Sequence, residues 1–228
     1  MKTKNSFDYW RDRQDQRLAY SEKVANYTTA NIAEIYDDSL KRVQNRIDNI
    51  IENYSKSIKM PVDQLKENLS AHKTQQLLGD LMKDLKENGA NTNENMKWLK
   101  GNYLKRLSNE EAIRLQLENE RRIIAQNEQK YTTTGLNKTI DQTYGSMTKD
   151  LVGVKGSLSD SAKKSMLTKR WVADANYSER VWNNTGELSN DVNKMINSSM
   201  LSGRSRVEIQ NELSEKYEVA KYRAEVLV

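Results

Sequence analysis

Cysteine is absent from this sequence. That removes disulfides, thiolate metal sites and cysteine nucleophiles together. A single histidine, His72, excludes the two-histidine zinc motifs and the two-histidine iron triads. One proline, Pro61, and 9 glycines in 228 residues leave few breakers, so a turn-punctuated sandwich or barrel is not expected. Apolar residues are also scarce, at 36% against roughly 45–50% (glycine included) in an average globular domain. No run approaches the ~18 apolar residues of a membrane-spanning helix. Lys2 and Lys4 have no apolar region behind them, so no secretory signal is expected either. The expectation is a soluble protein made inside a cell, with a thin core and long exposed helices.

What remains is mostly charge and helical periodicity. Charged residues make up 30% of the sequence, with 37 Lys and Arg against 32 Asp and Glu, and the formal charge is +5. The clearest pattern is Tyr36, Leu40, Val43, Ile47, Ile50 and Tyr54, whose steps alternate four and three like a coiled-coil seam. Tyr20, Val24 and Tyr27 keep that step upstream. The spacing predicts one helix from about Asp8 to about Ser57, roughly 75 Å long at ~1.5 Å per residue. A helix of that length must lie along other helices of the protein or along a partner, and the seam is its candidate interface. Both an antiparallel intramolecular packing and an intermolecular bundle satisfy it.

Pro61 punctuates the end of that segment. Leu65, Leu69, Leu77, Leu78, Leu81, Met82 and Leu85 mark helix up to a stop at Asn88-Gly89. A new start at Asn91–Glu94 leads into Met96, Leu99, Tyr103 and Leu107. Ser108-Asn109-Glu110-Glu111 is a capping box that opens a helix to about Lys130. Thr132-Thr133-Thr134-Gly135 reads as a break, and residues 145–156, with Gly145, Gly153 and Gly156, read as a connector: a loop or a small hairpin. Those glycines fit neither phosphate-loop spacing. Ser159-Asp160 caps a helix through Trp171, and Ser178-Glu179 starts another. Leu188, Val192, Met195, Ile196 and Met200 form a stripe that stops at Gly203. Ser205-Arg206-Val207-Glu208 is a second capping box before Ile209, Leu213, Ala220, Ala224 and Leu227. The fold class is therefore all-α: a long N-terminal helix with a bundle of shorter helices. Three stretches are distinguished, at 1–60, 61–150 and 151–228. Trp171 and Trp182 are the expected structural anchors of the last.

Catalytic signatures are absent. His72 stands in a Lys- and Gln-rich segment without a partner signature. Asp37-Asp38 and Glu110-Glu111 are neighbours on a helix, so they face different sides and do not pair for acid–base work. The protein is not expected to be an enzyme, and no cofactor or metal is called for. From Met147 to Trp182, seven cations stand against four carboxylates. Lys163, Lys164, Lys169, Arg170 and Arg180 are the candidate contacts for a nucleic-acid backbone, with Trp171 as an aromatic neighbour. An ordinary solvated helix face accounts for the same residues.

Tyr9-Trp10-Arg11 before a long charged helix, and above all Asn176 to Thr185 with Trp171 upstream, carry a family resemblance. So do Leu188, Leu201–Ser205, Ile209, Leu213 and Arg223-Ala224. With its Ser-x-Arg-x-Trp segment, Gly-x-Ser turn and final Arg/Ala helix, the sequence resembles phage minor head proteins of the Mu-type head-morphogenesis family, in the form found in phages of Gram-positive bacteria. The family pattern continues into an Arg-Thr-Glu element, so the resemblance implies that Val228 leaves the sequence C-terminally incomplete. It implies a low-copy virion component inside the phage head, made in the host cytoplasm. Such a component is bound to the portal protein and acts in head assembly or in DNA packaging and delivery. It would contact other head proteins or copies of itself, and packaged DNA weakly; no membrane is involved. The alternative is a DNA-binding module without sequence specificity, acting through the basic helical face.

Overall fold

A computed structural model describes residues 6–53, 66–103, 106–170 and 174–226; the side chains of 50–53 lie outside that description. Among the described residues there are seven helices and no strand. They are α1 (Phe7–Asn53), α2 (Ala71–Glu87), α3 (Asn93–Lys100), α4 (Asn109–Val152), α5 (Asp160–Leu167), α6 (Tyr177–Ser202) and α7 (Arg206–Glu225). The all-α class and the long first helix follow the apolar spacing. No helix among the described residues is long and apolar enough to cross a membrane.

Local chemistry explains most of the boundaries. The Ser108 hydroxyl accepts from the Glu111 amide while the Glu111 carboxylate accepts from the Ser108 amide. The same reciprocal box opens α6 at Asn176/Glu179 and α7 at Ser205/Glu208. Each satisfies amide donors that a helix start leaves open, and sets a carboxylate against the positive end of the helix dipole. Gly153 and Gly203 end α4 and α6 in the left-handed region, at φ +83° and +72°, where a side chain is strained. α6 begins one residue before the expected Ser178, because the Asn176 amide oxygen is itself the cap.

α1, α4, α6 and α7 form an up-down-up-down bundle. Tyr36 meets Glu128 and Arg17 meets Asp150, so α1 and α4 run antiparallel. Gln129 with Trp182 and Thr133 with Tyr177 set α4 antiparallel to α6. Asp37 with Lys221 and Asp48 with Gln210 do the same for α1 and α7. The main core takes Ile32, Tyr36, Val43 and Ile47 from α1, joined by the stripes of α4, α6 and α7. A second cluster, including Leu78, Leu81, Leu85 and Leu99, packs α2 and α3 on the other side of α4, against Leu115 and Ile123. An antiparallel backbone bridge pairs Asn68 with Ser108, just before α2 and α4 begin.

The interhelical seam is thus used inside the protein. Tyr36, Val43 and Ile47 are buried and Leu40 packs partly against the same core. The Ile50 side chain and Tyr54 lie outside the described residues. Residue 150 is no boundary, since α4 continues to Val152 and the main core draws on both sides of it.

Two expectations about 131–156 are corrected. Thr132-Thr133-Thr134-Gly135 does not break the helix, and 145–156 holds no hairpin; Gly145–Val152 are the last turns of α4, and only the residues after them form a loop. Tertiary contact overrides weak propensity here. The Thr133 and Thr134 hydroxyls donate to the carbonyls four residues back, at 2.6 and 2.8 Å, and Thr132 is buried. Gly135 lets α4 approach α1: a Cβ there would stand 2.5 Å from Thr28 Oγ1 and 3.5 Å from Val24 Cγ1. Thr28 cannot easily yield, because it is buried and its hydroxyl donates to the Val24 carbonyl at 2.8 Å. Gly135→Ala is expected to lower stability by about 1–2 kcal/mol, despite the usual gain of alanine over glycine in a helix. Adding Thr28→Ala should recover most of it, and equal urea midpoints for wild type and Gly135→Ala would contradict the close approach.

Candidate functional site

The interior of the bundle holds polar and charged side chains as well as apolar ones. On α4, two carboxylates two turns apart, Glu120 and Glu128, are 1% and 0% exposed. Their surroundings differ. Glu120 receives Arg42 Nε at 3.0 Å on Oε2 and Arg46 Nη1 at 2.6 Å on Oε1. The Ser39 hydroxyl donates to it at 3.1 Å and also lies 3.0 Å from the Tyr217 hydroxyl. Arg42 reaches on to Asn88 Oδ1 at 3.1 Å, and Arg46 to Asp84. This cluster ties α1, α2, α4 and α7 together. Burial outweighs Arg46 at Asp84 and raises its carboxyl above the usual range.

No cation among the described residues pairs with Glu128. Its Oε2 accepts from the Tyr36 hydroxyl at 2.9 Å, and Tyr36 in turn accepts from Asn184 Nδ2 at 3.0 Å. Asn184 Nδ2 also donates to the Ala220 carbonyl at 3.0 Å. Glu128 Oε1 and Asn184 Oδ1 are buried without a hydrogen-bond partner. Burial pushes the Glu128 carboxyl up to about 7, against a smaller lowering by the Tyr36 hydrogen bond. The Tyr36 hydroxyl is driven well above its ordinary value by burial first and the Glu128 charge second. Both side chains are fully buried, and their hydrogen bonds tie α1, α4 and α6 together.

A groove of about 720 Å³ runs between α6 and α7, and Asn184, Asp191, Glu215 and Lys216 are among its walls. Several of its charges are paired across it or along it: Arg223 with Glu187 at 2.5 Å, and Arg204 with Glu212. His72 is exposed on α2.

The five candidate DNA contacts do not form one free face. Lys163 donates to Asp141 Oδ2 at 3.0 Å and its side chain is only 18% exposed; that hydrogen bond raises its ammonium above the usual value. Arg170 donates to Glu179 at 3.0 Å and lies 3.5 Å from Asp174. The Glu179 carboxyl is lowered, first by the Asn176 amide and then by Arg170. Lys164 and Lys169 are exposed, and Arg180 is half-buried on α6. Trp171 lies outside the described residues. Trp182 is not a core anchor: it is half-buried, with Arg121 stacked 5.2 Å from its ring and its indole N–H donating to Gln129 at 3.4 Å. The indole is drawn to the bundle surface because its N–H and ring face both find polar partners there.

No family model matches this protein, and no curated protein or solved structure is significantly similar to it.

Sequence reasoning does not single out the interior carboxylates. Glu120 and Glu128 are eight residues apart, and a shared helix face is the signal that could have found them. Arg42 and Arg46, four apart beside the seam, are the matching signal on α1.

Proposed function

We propose that this protein is a structural minor head protein of a phage virion, bound to the portal inside the capsid and acting in head assembly or DNA delivery. The observation that carries the reading is the resemblance over Asn176–Ala224, whose quoted residues fall on one helix–turn–helix unit. Asn176 caps α6, Gly203 makes the left-handed turn, Ser205 caps α7, and Ala224 is buried at the end of α7. A rigid helical body suits assembly work, because its interior ion pairs fix helix register. Because the Tyr36–Ile47 part of the seam is covered by the protein's own helices, the portal contact in this reading uses another face.

The test is association with the purified portal oligomer, followed by size-exclusion chromatography with light scattering at low and high salt. A stoichiometric complex that survives high salt is expected, since packed helix surfaces tolerate screening. No complex at either salt would overturn the reading. Binding only to duplex DNA, falling steeply with salt, would favour the nucleic-acid alternative instead.

A further inference from the structure

At the opposite end of α1 from the Glu120 cluster, the early turns of α1 meet the last turns of α4. A concavity of about 250 Å³ opens there, and Arg13, Arg17, Ser146, Lys149, Asp150 and Lys155 are among the residues lining it. Four cations stand around one carboxylate. Asp150 is 7% exposed, accepts from Arg17, and pairs with Arg13 at 3.4 Å. Arg17 Nε also donates to Ser146 Oγ at 2.9 Å. The buried carboxylate therefore orients two guanidiniums from another helix and neutralises one charge, leaving an excess of three.

The fourth cation is put in place by the glycines. After Gly153 turns the backbone, the loop folds back on α4, and the Gly156 amide donates to Thr148 Oγ1 at 2.6 Å. Gly145 faces this loop with no side chain. A Cβ there would stand 2.8 Å from Lys155 Cε and 3.2 Å from the Gly156 carbonyl oxygen. The Lys155 stem thus crosses bare helix surface, which brings the residue into the lining of the same concavity. Neither Lys149 nor Lys155 pairs with a carboxylate among the described residues. Cations gathered in one concavity repel one another and concentrate anions. Asp150 and Ser146 already take Arg17 Nη2 and Nε, and Arg13 Nε faces Asp150, so the guanidiniums contribute their charge and remaining N–H groups while the lysines act as point charges at the rim.

We propose that this concavity binds a phosphate group. The chemistry is shared by a small phosphate or phosphomonoester and by a nucleic-acid phosphodiester, and it stands apart from the Lys163–Arg180 residues and from the portal reading.

The experiment titrates the 228-residue protein with inorganic phosphate at constant ionic strength, chloride being replaced in step. Binding is read by calorimetry and by amide shifts in ¹H–¹⁵N spectra. Saturable binding is expected, with shifts at Ser146, Lys149 and Gly156. The double variant Lys149→Gln/Lys155→Gln, both positions being exposed, should bind about tenfold or more weakly. Lys164→Gln/Lys169→Gln should bind as wild type does. Competition then separates the sources: displacement by a short duplex oligonucleotide supports a phosphodiester ligand, and displacement only by a phosphomonoester supports a small one. No saturable phosphate binding at constant ionic strength, or equal affinity in the Lys149/Lys155 variant, would overturn the proposal.

Discussion

Replacing Glu120 by leucine is expected to destabilise the protein by about 3–5 kcal/mol in urea unfolding. The side chain is 2% exposed and is shared by Arg42 and Arg46, themselves only 23% and 20% exposed. Removing the carboxylate strands two partly buried guanidiniums; Arg46 retains Asp84 and Arg42 retains Asn88. It also costs the Ser39 hydroxyl a partner. The informative comparison is a triple variant, Glu120→Leu with Arg42→Met and Arg46→Met. If the penalty comes from uncompensated charge, the triple variant should be more stable than the single one, because the stranded cations are gone and Asp84, then left without Arg46, is still partly open to solvent. If it comes from lost packing, the triple variant should be worse. A single variant within about 1 kcal/mol of wild type would mean that the cluster contributes little to the fold.

Glu128 should make stability fall as pH rises through neutrality. Its folded value is about 7, above the ordinary value of 4.5. The folded protein therefore holds a proton that the unfolded one releases. The stabilisation from that proton is fully present below about pH 4.5 and is lost as pH rises through about 7. At about 1.4 kcal/mol per unit, the full shift corresponds to roughly 3–4 kcal/mol. The groups facing Glu128 from the packed helices are Tyr36 of α1 and, through Tyr36, Asn184 of α6; Tyr217 of α7 acts on Tyr36. None supplies a cation. Glu128→Gln keeps the shape and removes the charge, so it should stabilise the protein at pH 8 by about 2–3 kcal/mol and change little near pH 5. Thermal melts of both proteins from about pH 5 to 8 measure this directly. Parallel curves for wild type and Glu128→Gln would show that Glu128 is ionised at no cost, and would contradict its burial.

These two carboxylates also mark where sequence reasoning stops. With 30% of residues charged, any one Glu on a helix reads as solvated surface, and that reading holds for Glu110. Only the meeting of α1 with α4 distinguishes Glu120, which finds two guanidiniums, from Glu128, which finds a tyrosine. The Lys163–Arg180 group fails as a free face for a related reason. Its charges are neighbours along one segment, whereas the Asp141 that neutralises Lys163 comes from α4.

The helical class, the length of α1, the capping boxes at Ser108 and Ser205, and the stops at Gly89 and Gly203 are all legible in the order of the amino acids. Each depends on atoms within a few residues of one another: a hydroxyl three residues from an amide, or a missing Cβ at positive φ. Packing between distant segments settles the rest. It carries α4 through three threonines and Gly135, because Thr28 and Val24 of α1 pack against that glycine. It turns a seam that two arrangements satisfy into the protein's own core, because α4, α6 and α7 supply matching apolar stripes. And it sets Arg13, Arg17, Lys149 and Lys155 around Asp150, from segments far apart in the sequence, because antiparallel packing joins the start of α1 to the end of α4.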